Sequence, residues 1–383
     1  MRKVINATGV ILHTGLGRAP LGKDIIEKLS DMASGYLDLE FNLDTGERGE
    51  RQEELENRIT RLTGFESAAI FNNNAGALLA LISTLARGKK VLALRSELVA
   101  IGGSFRVPEV VEMSQASLFP VGAMDGCSLD ELRKAVDEIK PELILKTHTS
   151  NYRIETMSSF PLLKESIEIG RERNIQVIYD IGSGQITGDI PEECIKNLSG
   201  IGLSAVCFSG DKLLGGPQCG IIVADKYIIS RVRKNPIARA VRIDKITALL
   251  LGFTLDNYLS FKKYPTLSHE LIYRNINDRK KIAEKIAVSF QEIGFKATLV
   301  ESIGRLGSGA LPMHDLPSFA VALDEKDYPI EKVARLFRLS DPSVIGRKSK
   351  GLFEIDVAAI IDGEVESIIS SAIKVKRILE EKE

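Results

Sequence analysis

The chain has 383 residues, 44% of them hydrophobic, with 51 Lys and Arg against 52 Asp and Glu. A formal net charge of -1 excludes the broad basic field that recruits nucleic acid non-specifically, and DNA is not expected as a partner. The length suits two compact domains better than one core.

The opening MRKVINATGV carries no apolar stretch of signal-peptide length. The longest apolar runs, such as AGALLALISTLA at 75 to 86, fall short of the roughly 20 residues of a membrane span. A soluble, cytoplasmic protein is expected. Cys127, Cys194, Cys207 and Cys219 lack paired spacing, which reads as buried free thiols in a reducing compartment. Neither a Cys-x-x-Cys nor a close histidine pair occurs, so no metal site is expected.

From about residue 65, strands and helices alternate. SAAIF (67 to 71), VLALR (91 to 95), LILKT (143 to 147), QVIYDI (176 to 181), SAVCFS (204 to 209) and GIIVA (220 to 224) are short apolar runs, the pattern of strands buried on both faces. Between them lie amphipathic helices. SLDELRKAVDEIK (128 to 140) opens on Ser128 with Glu131 three residues later, a capping box. PLLKESIEIGRERN (161 to 174) opens on Pro161, which suits a first helical turn. This alternation predicts an α/β domain with a mostly parallel sheet.

RIDKITALLLGFTLDNYL (242 to 259) reads as one long helix, followed by a polar stretch with Pro265. Beyond it come a helix at 278 to 293, strands near 295 to 301 and 318 to 323, a helix near 329 to 339, a strand near 352 to 357 and a last helix at 364 to 381. The expected division is an N-terminal segment and large domain over residues 1 to 260, then a smaller α/β domain over 261 to 383.

FSGDKLLGGPQCG sets Lys212 among glycines just after a strand. Pyridoxal phosphate requires a lysine for a Schiff base, a carboxylate to keep the pyridine nitrogen protonated, and backbone N–H groups for its phosphate. Asp180 closes the strand in VIYDIGSG, where open α/β sheets bind ligands. FNNNAGALLAL passes from strand to helix, so Asn74, Ala75 and Gly76 would present amides to a phosphate, and Ser209 would add a hydroxyl. Each feature alone has a plainer reading: a turn lysine, a capping aspartate, an asparagine-rich turn. Their order along one α/β chain favours the cofactor. The rival, a nucleotide-binding α/β protein, lacks both G-x-x-x-x-G-K-[ST] and G-x-G-x-x-G.

VINATGVILHTGLGRAPL (4 to 21), LDTGERGER (43 to 51), IFNNNAGALLAL (70 to 81), GGSFRVPEV (102 to 110), KTHTSNYRI (146 to 154), YDIGSG (179 to 184), FSGDKLLGGPQCGIIV (208 to 223) and RAVRIDKIT (239 to 247) resemble the bacterial selenocysteine synthases, the L-seryl-tRNA(Sec) selenium transferases. The resemblance implies fold type I of the pyridoxal phosphate enzymes, with the cofactor lysine at Lys212 and the ring carboxylate at Asp180. It implies β-replacement: the seryl hydroxyl leaves tRNA-bound serine, and selenium from selenophosphate adds at Cβ. It also maps the arginines for the selenium donor onto Arg18, Arg239 and Arg242, a residue type suited to oxyanions. His148 is then a cofactor- or substrate-contacting group, and His13 a residue of the substrate mouth. The plainer readings are structural histidines and ion-paired arginines. At least a homodimer is expected, with larger rings open.

Four features depart from the family pattern. The family carries an additional N-terminal tRNA-binding domain, whereas this chain begins at the catalytic core. Ala123, Met124 and Asp125 replace two threonines and an asparagine that help dimers associate. Ala100 replaces a glutamate, and Ala358 an arginine of the small domain. All of these fall on substrate and assembly. They leave a second reading, a related lyase or β-replacing enzyme acting on a small amino acid or amino sugar. A third, a non-catalytic binding protein, is opposed by intact Lys212 and Asp180.

Overall fold

The computed structural model describes residues 1–98, 100–101, 105–124, 126–148, 163–188, 190–307 and 315–381. The chain divides after Thr266 into two compact units: Leu21–Thr266, and Met1–Pro20 together with the chain from Leu267 onward. The N-terminal segment thus leaves the large domain expected to hold it. The reason is β1 (Val4–Ala7), which pairs in parallel from Val4 opposite Ser343 to Ala7 opposite Gly346. Four residues cannot form a core, so this strand exists only where a distant partner receives it.

The first unit is built on β2 (Ser67–Phe71), β3 (Lys90–Leu94), β4 (Ser117–Val121), β5 (Leu143–Thr147), β6 (Gln176–Gly182), β7 (Ala205–Ser209) and β8 (Gly220–Ala224). Their order across the sheet is β2-β8-β7-β6-β5-β3-β4. Only β8 runs antiparallel to its neighbours. The apolar runs behave as their composition demands: every residue of β2, β5, β7 and β8 is buried. Ala69, Phe71, Leu145 and Cys207 join the core on one face, and Ala68, Ile70, Val206 and Phe208 the core on the other. Strand β4 carries Pro120 opposite Ala93, which an edge position tolerates because only one side must supply ladder hydrogen bonds.

Helices cover both faces. The helix Asn74–Ala86 is apolar nearly all round and buries nine residues. Each buried leucine in it contributes about 1.5–3 kcal/mol. The helix Leu129–Ile139 has the full capping box of Ser128 and Glu131. The helix Leu163–Arg173 follows, and Pro161 lies outside the described residues. The helix expected from residue 242 starts later, at Lys245, because the Asp244 carboxylate accepts from the Ile246 and Thr247 amides at 2.7 and 3.1 Å. Val241 and Arg242 are instead drawn beside β2, with the Asn72 amide donating to the Val241 carbonyl at 2.8 Å.

The second unit orders β1, β11 (Ser343–Ser349), β12 (Leu352–Asp356), β10 (Leu316–Asp324) and β9 (Thr298–Gly304) into one sheet. Apart from the β1–β11 pair, its neighbours are antiparallel. Strand β11, SVIGRKS, lacks apolar alternation and is invisible in the sequence. The helices Ile276–Glu292, Ile330–Leu339 and Val365–Glu380 pack on this sheet around Phe290, Phe337 and Phe353. The Phe337 ring stacks on Phe353 at 5.3 Å and on Phe290 at 5.9 Å between centroids. Ala358 is fully buried in this unit. Among the described residues no helix is long and apolar enough to cross a membrane.

Candidate active site

The candidate site lies in the first unit, where β5, β6 and β7 end side by side. Asp180, near the end of β6, is 5% exposed and accepts a hydrogen bond from Asn74 Nδ2 at 2.8 Å. Burial pushes its carboxyl above the ordinary range, while the Asn74 hydrogen bond and the Lys212 charge pull it back. Ser209 closes β7, and three residues later Lys212 is buried. Its loop is held by the Leu213 amide donating to the Ser183 carbonyl and the Gly216 amide to the Gly210 carbonyl, each at 2.9 Å. Gly182, two residues after the aspartate, leaves room for the lysine amine. It adopts φ +68°, and a Cβ there would sit 3.3 Å from Lys212 Nζ.

The helix Asn74–Ala86 opens toward this edge. Its cap is Asn73, whose side chain accepts from the Gly76 amide at 2.8 Å. Gly76, expected to offer its amide to a ligand, therefore spends it on the cap. Among the described residues the Asn74 and Ala75 amides find no acceptor, and the N-terminus leaves them with the partial positive charge that favours an anion. The close docking of this helix start on β8 needs Gly220, where a Cβ would fall 2.2 Å from the Asn73 carbonyl oxygen.

His148 follows β5, with its amide donating to the Asp180 carbonyl at 2.9 Å. Its Nδ1 lies 3.0 Å from the Tyr179 hydroxyl and its Nε2 2.8 Å from Glu192 Oε1. The Glu192 side chain is fully buried. Nearby, Lys146 pairs with Glu97, whose other oxygen accepts from the Thr147 amide at 3.1 Å. Burial raises the Glu97 carboxyl pKa despite Lys146. Sequence reasoning missed Glu97, Tyr179 and Glu192, since a single carboxylate or phenol in a loop or apolar run carries no local signal. The remainder of KTHTSNYRI after His148, residues 102–104 of GGSFRVPEV, and Asp125 lie outside the described residues, as does the side chain of Ala100. Ala123 and Met124 are exposed.

Arg239 and Arg242 line a cavity of about 370 Å³ with Arg48, Arg51, Arg233 and Glu40. Phe71 also lines it, three residues before Asn74. Arg18 and His13 belong to the other unit, where the His13 carbonyl accepts from the Leu16 and Arg18 amides at 3.0 Å. The first unit thus gathers Asn74, Ala75, Asp180, Ser209 and Lys212 with His148 beside them. A buried carboxylate, a lysine amine and two amides without acceptors at a helix start are the set that pyridoxal phosphate requires, so these residues fit that cofactor.

Known proteins share this fold and much of this sequence. The D-glucosaminate-6-phosphate ammonia-lyase structure superposes with a TM-score of 0.72 at 18% identity, covering 99% of this chain and 96% of that one. A structure of SPT with PLP superposes with a TM-score of 0.51 at 14% identity, covering 99% and 89%. At such identities these likenesses show the fold, which is α/β fold type I of the pyridoxal phosphate enzymes. The L-seryl-tRNA(Sec) selenium transferase of Aquifex aeolicus (strain VF5) is 36% identical over 96% of this chain and 83% of its own. That of Desulfotalea psychrophila (strain LSv54 / DSM 12343) is 38% identical over 95% and 80%. The family model for L-seryl-tRNA selenium transferase matches residues 4–361. This chain is an enzyme of the transferase class, and it belongs to the L-seryl-tRNA selenium transferase family.

Proposed function

We propose that this chain uses pyridoxal phosphate to replace the hydroxyl of seryl-tRNA(Sec) with selenium delivered from selenophosphate. The observation that carries the reading is Lys212 beside the Asp180 strand, with Asn74 joining Asp180 to a helix start. Bound pyridoxal phosphate supplies an electron sink that acidifies the seryl α-carbon and lets the β-hydroxyl leave. Lys212 would hold the cofactor through Nζ, and its free amine would take the α-proton of the seryl group. Asp180 holds a proton on the ring nitrogen; burial strengthens that charge pairing because little water screens it. The Asn74 and Ala75 amides with the Ser209 hydroxyl hold the phosphate. Arg18, Arg239 and Arg242 receive the anionic selenium donor, since guanidinium forks match tetrahedral oxyanions. His148 and His13 line the cofactor and substrate sides. Enzymes of this fold type commonly complete their sites between subunits, so the working form is at least a homodimer.

The test is an absorbance spectrum of the holoenzyme titrated with seryl-tRNA(Sec) and, separately, with free serine. A visible band that borohydride abolishes, leaving its label on Lys212, is expected. Seryl-tRNA(Sec) should shift that band and serine should not. A shift with small amines alone would sink the tRNA-directed reading and leave the second one, a β-replacing enzyme or lyase of free amines.

A further inference from the structure

The arginine cavity already contains an anion of its own. Glu40 Oε1 lies 2.8 Å from Arg51 Nε and 3.3 Å from Arg242 Nη1, and its Oε2 lies 2.8 Å from Arg48 Nη2. Five arginines line the cavity against two glutamates, Glu40 and Glu50, leaving three positive charges in excess. Arg233 is engaged elsewhere, 2.6 Å from Glu56 Oε2. Among the described residues Arg239 has no carboxylate partner, so a ligand can reach it without displacing anything. Arg242 is different, because its guanidinium is held by Glu40.

We infer that Glu40 is a specificity-determining residue, an internal counter-ion that an incoming anion must displace from Arg242. This rests on the reading of Arg239 and Arg242 as the donor's site. Carboxylates and tetrahedral oxyanions use the same guanidinium N–H groups. A ligand that offers no more than Glu40 gains nothing by exchange, so monoanions such as chloride or acetate are rejected at Arg242. A dianion with three oxygens exchanges at a profit and also engages Arg239. Discrimination thus arises from a competitor built into the chain.

The plainer alternative is that Glu40 merely clamps the turn that follows it. That turn is already closed by its backbone. The Asn42 amide donates to the Glu47 carbonyl at 2.9 Å, the Gly46 amide to the Asn42 carbonyl at 2.9 Å, and the Gly49 amide to the Glu40 carbonyl at 3.1 Å. Asn42 Oδ1 further accepts from the Asp44 and Thr45 amides at 2.9 and 3.0 Å. The Glu40 carboxylate is spare to the turn, which points its role at the arginines.

Inorganic phosphate binding to the holoenzyme, measured by calorimetry, tests this. Glu40→Gln should bind phosphate about tenfold or more tightly, since a charged competitor is replaced by a neutral one, and acetate should now compete. Glu40→Asp should keep the wild-type preference for phosphate over acetate. Equal or weaker phosphate binding by a folded Glu40→Gln, with wild-type thermal unfolding, would overturn the inference. Should that variant not fold, the wild type decides alone: acetate competing as well as sulfate overturns it. If Arg239→Ala/Arg242→Ala binds phosphate as wild type does, the donor-site reading falls and takes the inference with it. If those arginines matter and Glu40→Gln does not tighten binding, only the inference falls.

Discussion

Asp180 shows what burial at the proposed site does to stability. Its carboxyl is raised by burial, with only partial relief from Asn74 and Lys212. A carboxyl raised in the folded state binds its proton more readily folded than unfolded. Folding of the apoprotein therefore weakens as pH rises from the ordinary aspartate value of 3.8 through the raised folded value. Asp180→Asn should remove this slope, leaving an apoprotein more stable than wild type at neutral pH and no more stable in acid. The same change should cut turnover by about 100-fold or more, the scale of losing one preorganised electrostatic partner. Urea unfolding at several pH values and single-turnover kinetics check the two halves; a less stable apoprotein at neutral pH would refute the first. Lys212, Asp180 and Ser209 were legible in the sequence because strand-end position and flanking glycines are local features. Glu192, whose side chain is buried against His148, was not, because its significance comes from a partner at the end of a strand distant in sequence.

At the scale of elements, Glu56 ties the helix Glu53–Thr63 to β2 and to the helix Lys226–Lys234. It accepts from the Ser67 hydroxyl, from the Ala68 amide at 3.3 Å and from Arg233 Nη2 at 2.6 Å. Burial alone would raise its carboxyl, but Ser67 and Arg233 outweigh that and hold it below the ordinary 4.5. Its stabilisation is thus fully present above that value and lost as pH falls through the lower folded value. Glu56→Gln should cost about 1–2 kcal/mol at pH 7 and nothing in strong acid, as read from urea midpoints. Gly220 governs a second junction. Gly220→Ala would drive a methyl into the Asn73 carbonyl, and either the helix start moves or β8 does. Such overpacking costs about 1–3 kcal/mol. Cofactor affinity should fall with it, because the Asn74 and Ala75 amides ride on that helix; an unchanged pyridoxal phosphate affinity would count against their role.

For the whole molecule, the division into units makes a distinction that can be measured. Asn74, His148, Asp180, Ser209 and Lys212 all come from the unit Leu21–Thr266. A ligand that binds only the folded form stabilises it by about 2.7 kcal/mol at 100 times its dissociation constant. Hydrogen exchange should therefore slow most in β6 and β7 when pyridoxal phosphate is added, and least in β9 to β12. Equal protection in both units would contradict a site seated in the first.

Much was settled by local composition. Short apolar runs determined the central strands, Ser128 with Glu131 a helix start, and glycine-flanked Lys212 and strand-end Asp180 the two ends of the proposed site. These are short-range properties, written in neighbouring residues. What the tertiary structure decided is long-range. Strand β1 sits beside β11 because its pairing partner lies more than 300 residues away. The Gly76 amide is lost to Asn73, a competition between two acceptors that spacing alone does not resolve. Glu40 meets Arg242 across 202 residues. Hydrophobic periodicity reports which face of an element is buried, and it carries no information about which distant charge that face will meet.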